Sequence, residues 1–259
     1  MSDDIHHLFE ETIRGDYEDD APWEAVRKLR TIGTRDVFDV ASQWSRSEDP
    51  LKRARGIDVV AQLGKTIHAT SSFSDESFSL VTDLIQREKE IRPLSSAIAA
   101  LGHLDNAGAV PIIARFRSHP SPEVRFSVAC ALGSFPNAPL SIETLLVLIT
   151  DGDEDVRDWA TFGLGSLSDA DSDEVREGLL RNLEDPHKDV REEAMAGLGK
   201  RRDRRVLSSL LRALGQSDVS NCVIEAADLM LGLREERKGW KSSDYAAALR
   251  HEFSVGQGC

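Results

Sequence analysis

PSPEVRFSVACALG at residues 120–133 returns in register as GDEDVRDWATFGLG at 152–165 and PHKDVREEAMAGLG at 186–199. Each copy holds a Val-Arg pair, Ala or Val four positions after the first Val, Ala or Gly at seven, and Leu-Gly at eight and nine. Working outward on the Leu-Gly dipeptide and its equivalents gives Gly33, Gly64, Gly102, Gly133, Gly165, Gly199 and Gly232, separated by 31, 38, 31, 32, 34 and 33 residues. A period in the low thirties fits one helix-turn-helix unit, which cannot bury its apolar face alone and must stack on its neighbours. Val156, Ala160, Gly163 and Leu164 fall at i, i+4, i+7 and i+8, one stripe of a helix, and Val190, Ala194, Gly197 and Leu198 repeat it. The expectation is therefore all-α, a right-handed α-solenoid of about six to seven helix pairs.

Asp, Pro or Gly before each copy (His119-Pro120, Asp151-Gly152, Asp185-Pro186) ends one helix and caps the next, and the closing Gly suits a left-handed C-cap. First helices are expected over 110–116, 142–149, 174–183 and 206–214, with earlier ones over 37–44 and 78–86. The 38-residue step is explained by a polar, Ser-rich insertion, KTIHATSSFSDES at 65–77. The domain reading is an acidic, partly flexible N-terminal segment at 1–20, a single solenoid at 21–253 and a flexible tail at 254–259.

The VRxxAxxALG pattern, followed after a short turn by a further helix pair, resembles the HEAT-like repeats of phycobilisome lyases, found in many stand-alone bacterial HEAT-repeat proteins. The resemblance covers about 20–235 and is strongest over 105–215. It implies a superhelix of paired helices and says little about function, which in such scaffolds lies in the non-repeated positions. Two copies depart from the pattern: 49–64 carries one extra residue before its Gly, and 218–232 puts Ile224 where the others have Arg.

Bulk properties narrow the function classes. A formal net charge of −13 lacks the basic stripe that phosphate contacts require, so no nucleic acid is expected, and basic partners or simple solubility are favoured. The longest apolar run, 145–149, is far short of the roughly 20 residues of a membrane span. The acidic start MSDDIHHLFEET has no secretory character. Cys130, Cys222 and Cys259 are odd in number and unpaired in sequence, which fits free thiols in a reducing, cytoplasmic setting. The seven histidines are scattered, with no HExxH, nucleophile elbow or P-loop, so no catalytic residue, metal site or cofactor is expected. HEAT-repeat hydroxylases of the di-iron type carry repeated His-Glu pairs, and here the one pair, His251-Glu252, lies outside the repeats.

Candidate residues come from positions in register. Arg125, Arg157 and Arg191, with Glu123, Asp155 and Asp189 before the core Val, are read as a structural ladder of ion pairs between neighbouring repeats. At 100° per residue, offsets +2, +3 and +6 from the Val lie away from the core stripe, toward the concave face. They hold Phe126, Asp158, Trp159, Phe162, Glu192, Glu193 and Glu225. This set reads as an aromatic anchor beside an acidic ridge, suited to a basic protein or peptide with an apolar side chain. The same aromatics are equally explained as fillers between adjacent second helices. From 151 to 193 the chain has fifteen acidic and five basic residues. Lys200, Arg201, Arg202, Arg204 and Arg205 then cluster in one turn, read as a solvated loop answering those acids.

The favoured function is a non-enzymatic interaction scaffold. The resemblance keeps open a bilin-lyase-type chromophore-handling protein. A base-processing protein similar to HEAT-like alkylpurine glycosylases would need a cationic groove, and the central face is acidic.

Overall fold

The structure, a computed structural model, describes residues 2–65, 71–232 and 237–253. Among them every regular element is helical. The first of two compact units, Met1–Phe135, holds α1 (Ser2–Glu11), α2 (Asp20–Ile32), α3 (Arg35–Trp44), α4 (Pro50–Ala61), α5 (Ser74–Arg87), α6 (Ile91–His103), α7 (Ala109–Ala114) and α8 (Pro122–Leu132). The second, Pro136–Cys259, holds α9 (Pro139–Leu148), α10 (Glu154–Phe162), α11 (Asp173–Asn182), α12 (Lys188–Lys200), α13 (Leu207–Leu214), α14 (Asn221–Leu231) and α15 (Ser242–Phe253). The division falls inside the stretch expected as one solenoid.

Odd and even helices pair. Within the first unit α2, α4, α6 and α8 pack in sequence on one another, with α3, α5 and α7 each against its following partner. Within the second unit α10, α12 and α14 form the corresponding row, backed by α9, α11 and α13, and α15 closes on α13 and α14. The repeat stripe is the core, as read from its spacing: Val156, Ala160, Leu164, Val190, Ala194 and Leu198 are all fully buried. Residues 66–70 of the inserted connection, and the tail 254–259 with Cys259, lie outside the described residues.

The N-terminal segment, read from the sequence as acidic and partly flexible, begins with a packed helix. Residues 2–11 form α1, and Ile5 and Phe9 are buried, Phe9 against Trp44 with ring centroids 5.0 Å apart. The following turn is gripped by Arg55, which is wholly buried. Its Nε donates to the Thr12 carbonyl at 2.8 Å and its Nη2 to the Tyr17 carbonyl at 2.6 Å, with the guanidinium over the Tyr17 ring at 3.7 Å. A ten-residue helix with so short an apolar stripe gives little periodic signal.

The glycines divide by role. Gly33 closes α2 in the left-handed conformation and Gly64 and Gly232 also have positive φ, but Gly199 sits inside α12. A Cβ at Gly199 would stand 2.5 Å from the Ala226 carbonyl oxygen, and one at Gly197 would stand 2.5 Å from the Gly165 Cα. These positions are small because backbones touch between repeats. After α10 the chain widens into a π-helical turn, Gly163–Leu167, whose Ser168 N–H returns to the Gly163 carbonyl at 3.0 Å.

That turn explains the basic cluster, and here the solvated-loop reading is overturned for Arg201. The Arg201 side chain is buried and donates to the carbonyls of Leu164 (2.7 Å), Gly165 (2.8 Å), Ser168 (3.2 Å), Ala170 (2.6 and 2.9 Å) and Gly197 (2.8 Å). Burial lowers its pKa. Lys200 adds bonds to the Ser166 and Ser168 carbonyls at 3.0 Å each. Arg205 clamps the buried Asp203, which Arg176 also holds at 3.0 Å. Irregular backbone exposes carbonyls, and guanidinium donors supply what the helix ladder does not.

The ladder is also corrected. Arg157 pairs with Asp185 of the next turn, Nε to Oδ2 at 2.8 Å and Nη2 to Oδ1 at 3.1 Å, and not with Asp155 or Asp189. Its Nη1 donates to the Asp151 carbonyl six residues back. Arg125 and Arg191 make the same backward bonds, to the His119 and Pro120 carbonyls and to the Asp185 and Pro186 carbonyls. Glu123 meets Arg92 at 3.3 Å. Helical side chains lean toward the helix N-terminus, which aims each Arg at the turn before it and not at the acid two residues away.

Candidate partner-binding face

The candidate residues of the second unit lie on α10, α12 and α14. Asp153 and Ser220 cap α10 and α14 by accepting from the Val156 and Val223 N–H groups, which fixes the rotation that buries each Val. The rotation leaves Asp158, Trp159 and Phe162 on the far side of α10, with Glu193 and Glu225 on the corresponding sides of α12 and α14.

Trp159 is 39% exposed and meets Phe162 edge-on at 5.7 Å with rings at 90°. Exposure does not follow one offset: Trp159 at +3 and Glu225 at +2 are exposed, Glu193 at +3 is half-buried, and at +6 Ala196 is buried. Asp158 is half-buried, and its Oδ1 has no hydrogen-bond partner among the described residues. Burial first, then Asp189 and Asp155, pushes its carboxyl up. Glu193 is pushed up to about 7, by burial first and then by Asp158, with Glu225 adding to the repulsion. Its oxygens receive the Ser166 hydroxyl at 3.2 Å and the Cys222 thiol at 3.9 Å. That thiol is itself pushed up to about 12 by burial first and then by Glu193, Glu192 and Glu225. No basic side chain among the described residues pairs with Asp158, Glu193 or Glu225. Glu193 thus sits in the repulsion of two neighbouring carboxylates, on the face that carries the exposed indole.

Two candidates stand apart. Glu192 is tied into the protein, its Oε2 accepting from the Ser220 hydroxyl at 2.6 Å and its Oε1 3.6 Å from Lys188, so its side chain is only 13% exposed. Phe126 lies on α8 in the first unit, half-buried. Sequence reasoning missed Ser166 and Cys222, which the Glu193 side chain reaches across the repeat boundary. No spacing rule within one helix could have found them.

Among the described residues no group of three His, Cys, Asp or Glu side chains could hold a metal ion, and no helix is long and apolar enough to cross a membrane.

Comparison with known proteins agrees with the architecture. Protein YibA of Escherichia coli K12 is 27% identical over 209 residues, covering 78% of this chain and 72% of YibA. An X-ray structure of E. coli YibA superposes with a TM-score of 0.73 at 21% identity, covering 98% of this chain and 96% of that one. An engineered protein matches at a TM-score of 0.58 and 16% identity, over 95% of this chain and 71% of its own. The family model for HEAT repeats matches residues 79–165 and 142–230, together more than half of the chain, which therefore belongs to the HEAT-repeat family, with an all-α solenoid fold.

Proposed function

We propose that this HEAT-repeat chain is a non-enzymatic, cytoplasmic scaffold that binds a basic protein segment carrying an apolar side chain, on the face formed by α10, α12 and α14. One observation carries the reading: Glu193 lies close enough to Asp158 and to Glu225 to be repelled by both, no cation among the described residues pairs with any of the three, and Trp159 beside Asp158 in the chain is exposed and braced by Phe162. A lysine or arginine from a partner would relieve the repulsion and ionise Glu193 fully, and the indole would take its apolar neighbour or stack on the cation itself. Glu192 supports the face by fixing the cap of α14.

The test is quantitative affinity capture from the source cell with the full chain, compared with the Asp158→Lys, Glu193→Lys, Phe162→Ala variant. Loss of specific, Lys- or Arg-rich partners with the variant supports the reading. An unchanged set of partners refutes it.

A further inference from the structure

Arg53, Arg157 and Arg191 are each the fourth residue of a second helix, α4, α10 and α12. Each turns Nη1 back to the carbonyls five or six residues earlier. In two of them the outer edge of the guanidinium, Nε and Nη2, grips a carboxylate three residues before the next second helix. Arg53 holds Glu88 at 2.7 and 3.0 Å, and Arg157 holds Asp185 at 2.8 and 3.1 Å. Those two carboxylates are almost wholly buried, 4% and 7% exposed.

The third case breaks the rule. The residue three before α14 is Asp218, again an acid, but it is exposed, on a connection of six residues where the loop before α12 has five. No carboxylate among the described residues comes within ion-pairing distance of Arg191. Arg191 lines a cavity of about 360 Å³ between α11, α12, α13 and α14, the size range of a small-ligand pocket. Arg212 lines the same cavity and likewise has no carboxylate partner among the described residues. Leu183, Met195 and Val223 give it an apolar wall and Ser209 a hydroxyl. The acids at its edge are Asp218 and Glu192, and Glu192 is already bonded to Ser220 and Lys188.

We infer that this cavity is a carboxylate-binding site, in which Arg191 takes a ligand carboxylate bidentately as Arg53 and Arg157 take Glu88 and Asp185, with the ligand's apolar body against Leu183, Met195 and Val223. A planar guanidinium fork takes a carboxylate bidentately, and the carboxylates held in the equivalent position by Arg53 and Arg157 are the precedent for that choice of anion. The carboxylate comes either from a free small acid or from the C-terminus of a peptide. The site shares Glu192 at its edge with the α10, α12 and α14 face but does not depend on the function of that face.

The test uses the full chain with 4-methylpentanoate and a tripeptide ending in leucine, each beside its neutral amide, read by NMR at the Arg191 Nε–H resonance. One or both acids should shift that resonance saturably and the amides should not; which acid binds identifies the source. Affinities for the variants are read by isothermal titration calorimetry, and there Arg191→Gln should weaken binding at least roughly tenfold, the loss of charge-assisted hydrogen bonds. Arg212→Gln, at an exposed residue whose change leaves the fold intact, should weaken it roughly threefold. Absence of binding by both acids, equal binding by the amides, or full affinity in both variants would overturn the assignment.

Discussion

Replacing Arg201 with Met tests how the irregular turn between α10 and α11 is held. The change keeps most of the buried stem and removes the donors that serve five carbonyls: Leu164, Gly165, Ser168, Ala170 and Gly197. A buried carbonyl left without a donor costs about 1–3 kcal/mol. Ser168 keeps Lys200, and water reaches part of the remainder. With two or three carbonyls still unsatisfied, the expected loss is about 3–5 kcal/mol. Because stacked repeats open locally, global melting alone is a poor gauge. Urea unfolding should therefore be combined with hydrogen exchange read by mass spectrometry. The variant should exchange much faster over 163–170 and 197–205, with residues 50–100 unchanged. Arg202→Met, which removes one exposed 3.4 Å contact to Glu252, should stay within about 0.5 kcal/mol of wild type. A loss below about 1 kcal/mol for Arg201→Met, or an exchange increase spread evenly over the chain, would refute the reasoning.

Three other outcomes follow from the same contacts. Gly197→Ala should cost about 1–3 kcal/mol in urea unfolding by overpacking against Gly165, whereas Gly152→Ala, with open space around it, should be near neutral. Asp185→Asn should lose about 1.5–3 kcal/mol at pH 7. Asp185 is held below the usual carboxylate range because Arg157 and the His187 N–H outweigh the effect of burial. Its contribution is therefore present above the ordinary carboxylate pKa and fades as pH falls through the lowered one, so wild type and variant should converge in acid unfolding titrations. Glu193 runs the other way. Its pKa is raised to about 7, so the folded chain binds the extra proton, and stability should fall as pH rises from about 4.5 to 7, a slope that Glu193→Gln abolishes. Capture of a basic partner should strengthen over the rise from pH 6 to 8 and lose that dependence in the same variant.

The repeat was legible because burial enforces it. Val156, Ala160 and Leu164 must line one stripe, and the stripe shows as spacing. The connections were less legible, since their solutions are made by long side chains from other repeats. The pairing of Arg157 with Asp185, 28 residues away, depends on how far one repeat is displaced from the next, a quantity no local pattern encodes. For the same reason Arg201 looked like solvated charge when it is the donor for a π-helical turn. At the candidate face the residue types and helical offsets placed Asp158, Trp159, Phe162 and Glu193 together, and missed that Glu192 is tied to Ser220. Offsets give a direction from the helix axis but not what a side chain of that length meets.

The central claim is that the α10, α12 and α14 face receives a basic segment, and a photocrosslinking amino acid in place of Trp159, used in the source cell, tests it most directly. The account predicts a discrete adduct at position 159 whose crosslinked peptide is rich in Lys or Arg beside an apolar residue. That adduct should disappear when Glu193→Lys is added. No such adduct should form with the same group in place of Trp240, which is exposed to a similar degree. No adduct at 159, the same adduct from both positions, or an acidic crosslinked peptide would contradict it.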